Sequence, residues 1–278
     1  MTQSTLDPIL TRQSKVSDQR RCRYYTYLVT TRTRDVFDDL TAEQDALEAV
    51  LAGLDQDAWC HASGAAGWTV ADVVLHLAQT EEYVVASVRD DEAALLVRDR
   101  DGPSLDELMD RLVAVQRCAP PIAVFTRWQT ARRAALAALR AYPPTVRLRW
   151  ATIPLTPRTL ATTRLAEHWA HALDITVPLG LTYPDTVRLW YVAWLAHRSL
   201  PYAIAIAGEQ AAPVRCELFA PDGQMWQFGP ADAPSLIAGP AGTFCRVDAR
   251  RLSAEQLGLT VAGLHGAAAL RVLRTYAT

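Results

Sequence analysis

The sequence predicts an α+β fold that is mainly α: a bundle of the four-helix type followed by a small α+β domain of about 70 residues. Two observations predict it. From residue 35 to residue 207, apolar residues recur at three- and four-residue spacing, in runs long enough for helices. From residue 208 to 278 the texture changes to short alternating runs broken by turn signals, among them "PDG" at 221–223.

The first 34 residues stand outside that scheme. They carry Arg12, Lys15, Arg20, Arg21, Arg23, Arg32 and Arg34 against Asp7 and Asp18, with poor periodicity. They read as a flexible basic extension. The helical register begins in "DVFDDLTAEQDALEAVLAGL", where Phe37, Leu40, Leu47, Val50, Leu51 and Leu54 share one side. A second helix opens at "GWTVADVVLHLAQTEEYVVASV", with Thr69 and Asp72 spaced as a capping box. A third helical region runs through "SLDELMDRLVAVQRC" and resumes in "AVFTRWQTARRAALAALRAY", until "YPP" at 142–144 stops it. The last bundle helix spans roughly 157 to 177, and "YPDTVRLWYVAWLAHRSLPYAIAIA" adds another. Beyond it, "VRCELFAPDGQMWQFGP" reads as a hairpin, and "GPAGTFCRVDARRL" and "VAGLHGAAALRVLRTY" read as helix or helix and loop.

The totals fit a globular chain. Half of the 278 residues are hydrophobic, 21% are charged and the net charge is -2, so no general charge draws it to nucleic acid. No window approaches the ~18 continuous apolar residues of a membrane helix, and the polar start has no apolar stretch for a secretory signal. The five cysteines, Cys22, Cys60, Cys118, Cys216 and Cys245, are scattered and form no C-x-x-C pair. They read as free thiols of a reducing cytoplasm, which is the expected compartment.

The chemistry concentrates in "RLAEHWAHALDI", residues 164–175. Residues four apart on a helix lie one turn above each other, so Glu167 and His171 point the same way. Asp174 lies a further turn along, while Leu165, Trp169 and Ala172 lie on an apolar side. A carboxylate and an imidazole one turn apart can chelate a divalent metal, with more ligands from facing helices. His76, set among apolar residues in "VVLHLA", is the natural third ligand. His168 and His171, three apart, could also chelate, and spacing alone leaves that open. The order E-H-x-x-H does not match the metalloprotease helix, and no P-loop, G-x-S-x-G or G-x-G-x-x-G occurs.

"GWTVADVVLHLA", followed about ninety residues later by "EHWAHALDI", resembles the DinB-like superfamily, and more closely its branch of mycothiol-dependent maleylpyruvate isomerase-like actinobacterial proteins. The resemblance covers roughly residues 36 to 278 and includes "LTAEQDALEAVLAGL", "WATIPLT" and the tail "ELFAPDGQMWQFGPADAPSLIAGPAGTFCRV". It implies a DinB-like four-helix bundle in which His76, Glu167 and His171 hold a metal and His168 is a neighbour. Zinc is the default for that donor set, with nickel, iron or manganese as alternatives. Asp174 then either orients His171 or is a helix-end charge. The resemblance further implies that the small C-terminal domain closes over the site and lends it an arginine. Arg250 or Arg251, in "VDARRL", fall near that position.

In such proteins a small-molecule thiol such as mycothiol is the expected nucleophile, its pKa lowered by the metal. Addition to an activated double bond, rotation and departure give cis–trans isomerisation; passing the thiol to an electrophile gives S-transfer. The expectation is therefore a metal-dependent enzyme, isomerase or thiol S-transferase, acting on an electrophilic small molecule as monomer or homodimer, without nucleic acid or membrane partners. A thiol-independent tailoring enzyme, using metal-bound water or Lewis acidity for cyclisation, elimination or hydrolysis, is one alternative. A non-catalytic binding protein on the same scaffold is the other.

Overall fold

The structure is a computed structural model that describes residues 34–92, 104–151, 153–208, 212–253 and 258–275. The basic extension expected over residues 1–34 lies outside the described residues except for Arg34, whose guanidinium pairs with Asp39 at 2.9 Å.

Helix α1 (Val36–Ala52) begins at Asp35, whose carboxylate accepts from the Phe37 backbone N–H. A five-residue helix, α2 (Gln56–Cys60), follows and has no periodicity to announce it. Helix α3 (Val70–Arg89) starts on the anticipated capping box. The Thr69 side chain accepts from the Asp72 N–H and Asp72 accepts from the Thr69 N–H. The shorter Asp side chain completes the box through one oxygen, which accepts from the Thr69 N–H and hydroxyl at 2.9 Å each. Helix α4 (Leu105–Gln116) repeats the device with Ser104 and Glu107. Helices α5 (Pro121–Ala141) and α6 (Pro157–Thr176) both open on proline, whose missing N–H costs nothing in a first turn. Pro120 and Pro121 also explain why the third helical region divides. Helix α7 (Leu189–Ile206) contains Pro201, and the expected change of texture falls between it and the first strand.

The sheet has the order β2-β1-β3-β4. Strands β1 (Val214–Phe219) and β2 (Met225–Phe228) form the expected antiparallel hairpin, Cys216 opposite Phe228. Strand β3 (Ser235–Pro240) runs parallel to β1 on its other side. After α8 (Ala241–Asp248), the three-residue β4 (Thr260–Ala262) pairs antiparallel to β3. Helix α9 (Gly266–Val272) is the last helix among the described residues. Neither β3 nor β4 was expected from the sequence. β4 is too short for any alternation to register, and β3 ends on the Gly-Pro that opened the segment expected to be helix or helix and loop.

One buried core joins helices and sheet, and both belong to a unit spanning residues 34–278. Val73, Val74 and Leu77 of α3, Trp128 of α5, Leu160, Leu165 and Trp169 of α6, Val192 of α7 and Cys216 and Ile237 of the sheet are all buried. Helix α6 is covered almost all round. Its accessible side is a stripe at four-residue spacing, Thr159, Thr163, Glu167 and His171, with Arg158 exposed at the start. Cys216 and Cys245 are buried, and Cys60 and Cys118 exposed, all as free thiols. No helix among the described residues is long and apolar enough to cross a membrane.

Two predictions follow from this architecture. Thr69→Ala removes the α3 cap and should cost about 1 kcal/mol, seen as a lower midpoint in urea at unchanged slope. Asp248, 1% exposed, keeps one carboxylate oxygen without a partner among the described residues and accepts from Thr275 on the other. Burial pushes its carboxyl up to about 7, the Thr275 bond and Arg250 opposing. A carboxyl raised on folding binds protons more tightly in the native state, so its stability contribution is lost as pH rises from about 4 to 7. Asp248→Asn should therefore match the wild type in acid and melt higher at pH 8. Parallel melting curves at all pH values would refute this.

Candidate metal centre

His76 comes from the second turn of α3, and Glu167 and His171 from successive turns of α6. The capping box fixes where α3 begins, and so which residue of "VVLHLA" meets α6. The His76 Nε2 lies 2.8 Å from Glu167 Oε1. The two imidazole rings meet edge to face with centroids 5.0 Å apart. One donor atom from each of the three residues lies within 4.8 Å of the others. The His76 Nδ1 is buried without a hydrogen-bond partner among the described residues.

Around these three, other side chains set orientation. His171 Nδ1 faces Asp174 Oδ2 at 2.9 Å. A carboxylate draws the imidazole proton to the nitrogen it faces, so Nδ1–H donates and the Nε2 lone pair is left free. Asp174, 3% exposed, also accepts from Arg251, whose Nε lies 2.9 Å from Oδ1 and whose Nη2 meets Oδ2. The loop before α3 closes on the backbone of the same residue. The Gly64 N–H donates to the Asp174 carbonyl at 2.8 Å, and a Cβ at residue 64 would lie 3.0 Å from Asp174 Oδ1. A side chain there would crowd Asp174, and glycine lets the loop pack closely. Trp68 walls the site, its ring centroid 5.1 Å from His76 and 6.5 Å from His171, and its indole N–H donates to Asp110 of α4 at 2.8 Å.

Behind Glu167 sits Arg164, 1% exposed. It donates to Glu167 Oε2 at 2.6 Å, to Glu81 Oε1 at 3.0 Å and to Thr80 Oγ1 at 2.7 Å. Burial alone would push the Glu167 carboxyl up, but Arg164 and the His76 bond outweigh it and hold it well below the usual carboxylate range. Burial lowers His76, the Glu167 contact opposing. An ionised carboxylate beside a neutral imidazole is the protonation pattern that metal ligation requires.

His168 faces the other way. Its Nδ1–H donates to the Arg164 carbonyl at 2.8 Å, and its Nε2 accepts from the Trp128 indole at 3.2 Å. Burial, then Arg164, pulls its pKa down to about 3. Of the two chelating pairs left open by spacing, only Glu167 with His171 meets His76. A tetrahedral ion with bonds of about 2.0 Å keeps neighbouring donors about 3.3 Å apart. The His76 and Glu167 donors lie 2.8 Å apart and all three lie within 4.8 Å of one another, a range that includes that value. A cleft of about 820 Å³ between α3 and α5, lined by Val85, Ala86, Ile122, Ala123 and Ala131 among others, contains none of these residues.

Comparison with known proteins gives this geometry a family. Residues 40–176 match the model of the mycothiol maleylpyruvate isomerase N-terminal domain, a stretch that holds His76, Glu167, His171 and Asp174. Uncharacterized proteins from two strains of Mycobacterium tuberculosis are 33% identical over 231 residues, covering 81% of this chain and 88% of theirs. The chain belongs to this maleylpyruvate isomerase-like family. Crystal structures of the mycothiol-dependent maleylpyruvate isomerase and of a histidine-to-alanine mutant of it superpose with a TM-score of 0.56. They are 15% and 14% identical and cover 82% of this chain and 91% of theirs, a likeness of fold.

The maleylpyruvate isomerase-like match stops at residue 176, so Arg251 comes from beyond it. The backbone decides between the two candidate arginines. Helix α8 ends in a Schellman turn: the Arg250 N–H donates to the Val247 carbonyl at 3.1 Å and the Arg251 N–H to the Arg246 carbonyl at 2.8 Å. Arg250 takes the left-handed conformation at φ 61° that this turn demands, and the chain reverses so that Arg251 reaches Asp174. The sequence reading missed Arg164, Glu81, Trp68 and Gly64. Its one available signal was a charged residue three positions before Glu167 inside an apolar run.

Arg250→Gly should relieve about 1 kcal/mol of backbone strain, whereas Arg251→Ala leaves a buried carboxylate short of donors and should cost about 2 kcal/mol. Urea unfolding of the two variants checks the opposite signs.

Proposed function

We propose that this chain is a metal-dependent enzyme that acts on an electrophilic small molecule with the help of a low-molecular-weight thiol, as an isomerase or S-transferase. The observation that carries the reading is the meeting of His76, Glu167 and His171 across α3 and α6, on the one accessible stripe of an otherwise buried helix. The family match supports it, and so does the fold shared with a mycothiol-dependent maleylpyruvate isomerase.

His76, Glu167 and His171 would hold the ion, with zinc favoured by a donor set of two imidazoles and a carboxylate. A divalent ion bound there supplies Lewis acidity that lowers the pKa of a thiol at an open position. Asp174 keeps the His171 proton on Nδ1, which leaves Nε2 to ligate. Arg251 fixes Asp174 in place, and the His171 and Arg251 bonds hold its carboxyl below the ordinary value against burial. Trp68 gives the site an apolar wall that excludes water from one side. Reversible thiolate addition to a conjugated double bond, or transfer of the thiol to an electrophilic carbon, is the matching reaction class. A reducing cytoplasm, in which a small thiol and the exposed Cys60 and Cys118 stay reduced, is the compartment this reading calls for.

Protein purified free of metal and reloaded with zinc, nickel, iron or manganese tests the reading. Elemental analysis should find about one ion per chain, lost in His76→Ala and in His171→Ala. Turnover of conjugated cis-alkenes should then need both metal and thiol. Absence of a stoichiometric ion under every loading would overturn the proposal, and turnover with metal but no thiol would replace it with a thiol-independent reaction at the same residues.

A further inference from the structure

The core beside the site holds a charged group that ligand binding alone does not require. Arg164 and Glu81 are each 1% exposed, and burying such a pair costs more desolvation than a packed apolar pair of the same volume. The three guanidinium nitrogens of Arg164 each meet a different acceptor, on Glu81 and Thr80 of α3 and on Glu167 of α6. Thr80 lies one turn beyond His76 and donates to the His76 carbonyl at 2.9 Å. The guanidinium therefore locks the helix that carries His76 to the helix that carries Glu167, directly behind both side chains.

The two oxygens of Glu167 are divided by this arrangement. Oε2 is held by Arg164 at 2.6 Å and Oε1 faces His76 at 2.8 Å. We propose that Arg164, braced by Glu81 and Thr80, is a positioning residue that occupies one oxygen of Glu167, so that the carboxylate meets a metal ion through Oε1 alone. The inference rests on the metal reading above and adds the mode of ligation. A carboxylate held to one oxygen takes one coordination position; a free one can rotate to take two. Restraint of Glu167 thus keeps a position open for thiol or substrate. Lysine cannot substitute, because a point charge on a flexible stem cannot hold three acceptors in one plane.

Cobalt(II) is the probe, because its visible bands are intense at four-coordinate sites and weaken as coordination number rises. Two variants are titrated beside the wild type: Arg164→Lys, which keeps the charge and loses the fork, and Arg164→Met with Glu81→Met, which removes the buried pair at similar volume. We expect both to bind cobalt about 10- to 100-fold more weakly and with weaker visible bands. The double variant should also melt close to the wild type, which separates ligand positioning from folding. Wild-type affinity and spectrum in either variant overturn the inference while leaving the metal reading intact. A wild-type chain that takes up no cobalt overturns the metal reading and this inference together.

Discussion

Helix α6 is buried on nearly every side, and that constraint shapes the rest of the molecule. A buried polar group must find a partner within the protein or pay its full desolvation penalty. Arg164, His168, Asp174 and Thr176 all lie on this helix at 5% exposure or less. Each is answered. Arg164 binds across to α3, His168 uses the Arg164 carbonyl and the Trp128 indole, Thr176 donates to the Ala172 carbonyl, and Asp174 takes Arg251. The Arg164 and Ala172 carbonyls lie on α6 itself, and the other partners come from α3, α5 and the segment after α8. Satisfying Arg164, His168 and Asp174 of this one helix therefore ties down how its neighbours pack around it.

The same bonds decide what the accessible stripe can do. Glu167 and His171 share a face because four residues make about one helical turn, but spacing alone would leave both side chains free to rotate. Arg164 removes that freedom from Glu167 and Asp174 removes it from His171. The third group, His76, approaches from a helix whose register is set by its capping box and whose crossing is pinned by Thr80 and Glu81. The cluster of His76, Glu167 and His171 is thus held by a buried network with at least as many members, as the proposed metal site would need.

Much of this was legible in the sequence, for identifiable reasons. The long helices announce themselves through apolar spacing, caps and prolines, and the β1–β2 hairpin through "PDG". His76, Glu167 and His171 are legible because local spacing and an isolated histidine in an apolar run survive without knowledge of the packing. Arg164 and Glu81 are not, because their pairing exists only where α3 and α6 cross, 83 residues apart in the chain. The choice between Arg250 and Arg251 was equally out of reach. The two are adjacent and chemically identical, and only the left-handed turn at residue 250 separates a helix terminator from a partner of Asp174. Strand β4 exists through its pairing to β3 and has no sequence pattern of its own.

The asymmetry between the halves of the site has a physical logic. Donor atoms that must converge within a few ångströms belong on rigid helices, where the backbone sets their positions before any ion arrives. The stretch shared with the family, residues 40–176, contains all three of them together with Asp174. Arg251 lies outside that stretch, on a turn, and touches no donor directly; it acts on the carboxylate that orients His171. Asp174 is 3% exposed, and the His171 and Arg251 contacts together hold its carboxyl below the ordinary value against burial. The segment after α8 supplies Arg251, so docking of the C-terminal part and the orientation of His171 are joined through one carboxylate. A change that displaces the turn at residues 249–251 reaches the site by way of Asp174, although no residue of that turn faces the three donors.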